Sequence, residues 1–226
     1  MKYENIEEAK FLSRPNRFIA EIEVNGKTEV AHVKNTGRCK ELLERGATIY
    51  VRADNNPNRK TKYDLISVYK GSRLVNIDSQ IPNRVFREWV EKSGYFGEIT
   101  LIKPEQKHGN SRFDFYMEAE GRKIFVEVKG VTLEENGAAM FPDAPTERGV
   151  KHVKELISAA EEGYRAALVF IIQMKGIEYF TPNDKTHPAF GHALREAAAR
   201  GVEILALDCH IDKDTILAAD FVQIKL

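Results

Sequence analysis

Two short alternating runs constrain this chain more than any other feature. Arg112-Phe113-Asp114-Phe115-Tyr116-Met117-Glu118 and Lys123-Ile124-Phe125-Val126-Glu127-Val128-Lys129 both read as strands, and Glu120-Gly121 lies between them. With those two residues as the loop, Ala119 pairs with Arg122, Met117 with Ile124 and Asp114 with Glu127. Directly opposed residues of an antiparallel pair share a face, with Cβ atoms roughly 4.5–5.5 Å apart. Asp114 and Glu127 then stand side by side, and the two-residue period puts Lys129 on the same face. Two carboxylates that close repel unless a proton or a cation lies between them. An oxygen-seeking divalent ion, Mg²⁺ or Mn²⁺, suits such a pair and commonly also holds phosphate. A lysine beside it can orient a water or stabilise charge on a phosphoryl oxygen. The constellation points to metal-assisted phosphodiester chemistry.

The register is the joint on which this rests. Glu-Gly is a poorer two-residue turn than Asn-Gly or Asp-Gly, and a three-residue loop would send the carboxylates to opposite faces. The alternation of Phe113, Phe115 and Met117 against Ile124, Val126 and Val128 favours the even loop. On spacing alone, an ordinary amphipathic hairpin with a charged outer face is the stronger account of Asp-x(12)-Glu-x-Lys.

Composition narrows the class. The 226 residues are 42% hydrophobic and 30% charged, a globular balance able to build a core in one large domain or two small ones. No apolar run has the length of a membrane span, and Met1 to Lys10 is charged, without a signal-peptide core. Cys39 and Cys209 form no zinc pattern. A reducing cytoplasm with both thiols free is the expected setting. Net charge is zero, but residues 1–83 hold 15 Lys/Arg against 11 Asp/Glu, and residues 84–226 hold 19 against 23. From Lys34 to Arg73 ten basic residues face four acidic ones, an excess that fits either a phosphate backbone or a solvated surface.

The first part reads as all-β. Phe18 to Val24, a strong Asn25-Gly26 turn and Thr28 to Val33 make a hairpin. Strands near 48–51, 63–69 and 74–77 follow, with a short helical piece around Cys39 to Glu44. Five strands and one small helix fit an OB-like barrel over residues 1–83, with the basic loop at Arg59 and Lys60 placed to touch nucleic acid. Residues 84–226 alternate helix and strand. A helix over 84–93, capped by Asn83, leads to strands near 98–103, 112–119 and 123–129. A helix over 147–162, strands near 166–172 and 177–180, a helix over 188–200 and a strand over 202–207 follow. This is an α/β domain with parallel crossovers.

Several stretches agree with one family: Asn35-Thr36-Gly37-Arg38, Ser111 to Phe115, Val126 to Leu133, Phe141-Pro142-Asp143-Ala144-Pro145-Thr146-Glu147-Arg148-Gly149, and Lys151-His152. In that order they resemble the sugar fermentation stimulation protein (SfsA) family over nearly the whole chain. The resemblance implies an OB-like N-terminal domain, a PD-(D/E)xK nuclease-class C-terminal domain, and DNA as partner, with a link in bacteria to sugar metabolism. It carries the metal role to Asp114 and Glu127 and the water-orienting role to Lys129. It also implies a possible carbonyl ligand at Val128 and a further acidic ligand upstream, for which Glu105 is the candidate, with Glu98 and Glu88 as rivals. Phe113 stands where the class usually has proline.

Thr146 reads as the N-cap of the helix that carries Arg148, Lys151 and His152. A capped helix start with clustered cations is an anion site, which assigns these three to phosphate. Asp143 reads as a loop-holding residue. Arg38, in the turn before the short helix, is read as meeting phosphate or bridging the domains. A DNA-binding module that keeps the fold without its chemistry is the competing reading.

Overall fold

The first half of the chain forms β1 (Ile6–Asn16), β2 (Ile19–Val24), β3 (Lys27–Val33), β4 (Thr48–Ala53), β5 (Tyr63–Lys70) and β6 (Arg73–Asn76). These come from a computed structural model that describes residues 1–35 and 37–226; Thr36, part of one stretch quoted above, lies outside the described residues. Asn25 and Gly26, at φ 51° and 72°, close the β2–β3 hairpin as an Asn-Gly turn should. β1 pairs with β2 and β4, β5 pairs with β4, and a parallel contact between β3 and β5 closes the ring. The result is a five-stranded OB-type barrel. Ile22, Val33, Ile49, Val51 and Leu65 fill its interior.

Two expectations change here. The five strands read from sequence included 74–77 and omitted β1, whereas β1 belongs to the barrel and β6 is an extra strand on β5. β1 is easily missed because only Ala9 and Phe11 of its eleven residues are buried. The helical piece at Cys39 to Glu44 is a run of turns, in which the Leu43 N–H reaches the Cys39 carbonyl at 2.9 Å.

The loop after β4 is also corrected. Arg59 does not reach outward for phosphate. Its guanidinium binds Asp54 (2.5 Å) and Asp64, and Asp64 is fully buried and also takes Arg52 (2.6 Å) and Lys34 (3.2 Å). A buried carboxylate recruits its nearest cations, because an unpaired charge inside the protein is costly. Lys60 remains exposed.

The second half contains α1 (Pro82–Ser93), β7 (Ile99–His108), β8 (Ser111–Ala119), β9 (Arg122–Val131), β10 (Leu133–Glu135), β11 (Ala138–Phe141) and α2 (Glu147–Glu161). It continues with β12 (Arg165–Ile172), β13 (Tyr179–Pro182), α3 (Pro188–Ala199), β14 (Glu203–Asp212), β15 (Thr215–Phe221) and β16 (Gln223–Ile224). The main sheet has the order β15-β14-β12-β9-β8-β7, with β12 parallel to both β9 and β14. α1 covers one face, where Phe86 and Val90 meet Phe115, Met117 and Val126. α2 and α3 cover the other, where Val153, Leu156 and Leu194 meet Phe125 and Phe170. This is the restriction-endonuclease-like α/β class. A small sheet, β10-β11-β13-β16, flanks it. Asn136-Gly137, at φ 51° and 85°, turns β10 into β11. Asn83 is no cap: α1 opens on Pro82 after Ile81, and the Asn83 side chain is spent elsewhere. Among the described residues no helix is long and apolar enough to cross a membrane.

Polar contacts fasten the two halves together. The Asn76 N–H donates to the Gln173 carbonyl (2.9 Å), and the Gln173 side chain donates back to Asn76 and Asp78. Lys70 and Arg73 both bind Glu134 at 2.9 Å.

Burial alone would raise the Asp64 carboxyl, but Arg59 and Lys34 outweigh it and pull its pKa down to about 2. The folded value lies below the unfolded one, so this group's stabilisation is present above pH ~4 and is lost as pH falls toward ~2. Acid titration of thermal stability should show that loss in wild type. In Asp64→Asn the slope should be shallower, since Glu134, also drawn down to about 2, keeps its own share. An unchanged slope in the variant would rule out Asp64 as its source.

Candidate active site

Glu120 and Gly121 take φ 50° and 75°, a two-residue turn with both residues left-handed. Ala119 therefore pairs with Arg122 and Met117 with Ile124, the even register. The β8–β9 ladder stops at Phe115 with Val126. Beyond it Asp114 replaces a strand bond with a side-chain one: its Oδ2 accepts the Val128 N–H at 2.8 Å. Its Oδ1 accepts from the Asn83 side chain at 2.8 Å, so the start of α1 orients this carboxylate.

Glu127 lies on β9 facing α2 and is 2% exposed. Its Oε1 takes both Lys129 Nζ and His152 Nδ1, each at 2.5 Å. Lys129 follows two residues along the same face, as strand geometry requires. His152 comes from the second turn of α2. That turn is set by Thr146, whose hydroxyl caps the helix by accepting the Gly149 N–H at 3.0 Å. Arg148 Nε donates to His152 Nε2 at 3.4 Å. This pattern needs the His152 proton on Nδ1, pointed at Glu127.

The two carboxylates are driven in opposite directions. Burial, then the charge of Glu127, pushes the Asp114 carboxyl up, against its bonds to Val128 and Asn83. Burial pushes Glu127 up as well, but His152 and Lys129 outweigh it and the net shift is downward. Glu127 Oε2 is buried and, among the described residues, has no hydrogen-bond partner. A buried anionic oxygen without a donor is the position a cation would satisfy. The donor set, carboxylate oxygens beside a lysine, fits a hard divalent ion.

Sequence reasoning placed Asp114, Glu127 and Lys129 on one hairpin. Lys129 does meet Glu127, and Asp114 is near enough for the charge of Glu127 to act on it. The expected Asp114–Glu127 pair is not in the ladder, which ends one step earlier. Three other assignments change. Glu105 is not part of the cluster: it sits at φ 51° between the Pro104–Phe115 and Gln106–Phe113 pairs, and its exposed carboxylate pairs with Arg112 at 3.3 Å. Its rival Glu88 pairs with Arg84. Among the described residues no group of three or more His, Cys, Asp or Glu gathers as a metal site. His152 is buried against Glu127 and does not face solvent to meet phosphate. Lys151 turns the other way and donates to the Asn110 carbonyl at the β7–β8 turn, at 2.9 Å. Arg148 stays exposed beside the site, and Arg38 stays exposed on the barrel.

Two positioning residues were missed. Asn83 was read only as a cap, and its contact with Asp114 crosses 31 residues of sequence. Arg14 donates to the carbonyls of Asn35, Gly37 and Arg38 at 2.6–2.9 Å. No local signal marks either contact.

An OB barrel joined to a restriction-endonuclease-like domain, with an Asp/Glu/Lys set on two adjacent strands, defines the class. Two family models match in the same order: the SfsA N-terminal OB domain over residues 12–77 and the sugar fermentation stimulation protein RE domain over residues 80–215. The chain belongs to the sugar fermentation stimulation protein family. A sugar fermentation stimulation protein homolog of Desulfitobacterium hafniense is 65% identical over the whole chain and 99% of its own length. One from Ruminiclostridium cellulolyticum is 56% identical over the full length of both. The solved structure of Pyrococcus furiosus SfsA in complex with Ca²⁺ is 32% identical, with a TM-score of 0.90, covering all of this chain and 98% of that one.

Removing His152 would leave Glu127 buried with Lys129 as its remaining partner. His152→Ala should lower stability by on the order of 3 kcal/mol, read by denaturant unfolding. Asp114→Asn should act oppositely and raise the melting temperature of the metal-free protein. A raised folded pKa means that ionised Asp114 opposes folding, so this gain should shrink as pH falls and the wild-type carboxyl takes up a proton. A stabilised His152→Ala, or a destabilised Asp114→Asn, would contradict the electrostatics described.

Proposed function

We propose that the protein is a metal-dependent nuclease, hydrolysing phosphodiester bonds in nucleic acid, with DNA as the substrate, in the cytoplasm. The observation that carries this reading is Glu127 Oε2, buried and without a hydrogen-bond partner among the described residues, beside an Asp114 whose ionisation Glu127 opposes. Asp114 and Glu127 would hold the ion, Mg²⁺ or Mn²⁺. The Ca²⁺ of the Pyrococcus furiosus relative supports a hard, oxygen-liganded cation. When bound, such an ion supplies Lewis-acid stabilisation of a phosphoryl oxygen and lowers the pKa of a water.

The chain's own residues divide the remaining work. Lys129, held at Glu127 Oε1, orients the attacking water. Arg148, exposed one helical turn before His152, meets the charge that develops on the phosphate. His152 and Asn83 act through others, fixing the two carboxylates. We divide the chain at residue 83, with the barrel as the grip on the strand. Exposed Arg38 and Lys60 contribute charge there. Lys151 acts locally, tying α2 to the β7–β8 turn.

The absence of a third carboxylate among the described residues favours a second reading, a DNA-binding module of this family that does not cleave. The two separate cleanly. Wild type and Glu127→Gln are incubated with labelled single-stranded, duplex and branched DNA in Mg²⁺, Mn²⁺ or EDTA. Metal-dependent cleavage by wild type, reduced at least about a thousandfold in the variant, is the expected outcome. Salt-dependent binding with no cleavage in any condition would replace the nuclease by the binding module.

A further inference from the structure

The proposed reaction leaves one cavity unexplained. It lies where the barrel meets the second domain, holds about 170 Å³, and is lined in part by Asn35, Gly37, Gly130, Thr132, Asp143 and Gln173. Gly130 directly follows Lys129 on β9, so the cavity opens one residue beyond the lysine of the site.

Its chemistry is set by Gln173, which is 1% exposed. The Gln173 Nε2 donates to the Asn76 carbonyl (3.1 Å), the Asn76 Oδ1 (3.0 Å) and the Asp78 carbonyl (3.1 Å). Those acceptors fix the amide, because a flip would set Oε1 against three oxygens. Oε1 is thereby held on the Gly130 side, where a Cβ would lie 2.6 Å from it. Glycine at 130 leaves that oxygen open. Among the described residues it accepts no hydrogen bond, so it is free to accept one from an occupant of the cavity.

Asp143 adds a second acceptor. Its carboxylate packs on Gly37, where a side chain would overlap Oδ2, and Asn35 Oδ1 accepts the Gly37 N–H at 2.7 Å beside it. The Gln173 oxygen and an ionised Asp143 can only accept. A cation is the weaker occupant, because neither His, Cys nor a second carboxylate joins Asp143 in the lining. The volume equals on the order of five waters, enough for a sugar or one base edge and too little for a whole nucleotide.

We propose that this cavity receives the nucleotide next to the cleaved phosphate and recognises a neutral hydrogen-bond donor on it, either an exocyclic amino group or a sugar hydroxyl. The assignment rests on the nucleic-acid reading above. It makes Gln173 and Asp143 specificity residues, outside the carboxylate pair and its lysine.

The test uses short labelled single strands made uniformly of dC, dT, rU or tetrahydrofuran abasic units. Binding is read by anisotropy in EDTA, and cleavage by gel in Mn²⁺. Either dC or rU should bind at least about fivefold tighter than dT and the abasic strand. A preference for dC identifies the amino group, and one for rU the 2′-hydroxyl. Asp143→Asn should shrink the preference and Gln173→Leu should abolish it. The exposed Asp143 keeps the test sound if Gln173→Leu fails to fold. Cleavage with equal binding of all four strands would overturn the pocket and leave the nuclease reading standing. Neither binding nor cleavage of any strand would overturn both.

Discussion

The buried charge of Glu127 is the constraint around which the second domain is arranged. A carboxylate 2% exposed is tolerable only when opposite charge and hydrogen bonds surround it. Lys129 comes from the same strand, at the spacing that pleating enforces. His152 must come from α2, so the Thr146 cap, the helix start and the packing of Val153 and Leu156 on the sheet all bear on one oxygen. The other oxygen has no hydrogen-bond partner among the described residues. Asp114 meets a different solution, bonded to the backbone of β9 and to α1. Opposed pressures on two neighbouring carboxylates are a pattern that catalytic sites use, and here they arise from burial and the charge of Glu127 acting on Asp114, and from His152 and Lys129 acting on Glu127.

The second dependence is the polar junction between barrel and sheet. Gln173 directly follows β12 and ties Asn76 and Asp78 of the barrel side to the strand beside β9. Its amide is directional, so it fixes orientation as well as proximity. Glu134 reinforces the junction by taking Lys70 and Arg73, and its carboxyl is drawn down to about 2 against the pull of burial. Arg14, on β1, holds the carbonyls of Asn35 and Gly37, two residues that line the cavity at this junction. The barrel is therefore presented to the site in a defined way, which the proposed grip on a strand requires.

Much of this was legible in the chain. The Asn25-Gly26 hairpin, the even β8–β9 register and the cap at Thr146 are local matters, decided by turn conformations and by alternation of apolar residues. Strand β1 escaped notice because its polar edge residues hide a half-buried pattern, and Glu105 was drawn in by position along the chain. A left-handed backbone at 105, with Arg112 as partner, took it away from the cluster. Arg59 shows the same limit from the other side: a basic loop residue looks available until a buried acid such as Asp64 claims it.

The sequence by itself determined the two-part architecture, the carboxylate hairpin and the lysine beside it, because side-chain period and turn chemistry act over a few residues. Only the tertiary structure decided which groups those carboxylates face. Asn83 is 31 residues from Asp114, His152 is 25 from Glu127, and Gln173 is 97 from Asn76. Contacts of that range depend on how helices and barrel pack against the sheet. Packing also settles which charges are buried and must find partners, and which remain free for a ligand.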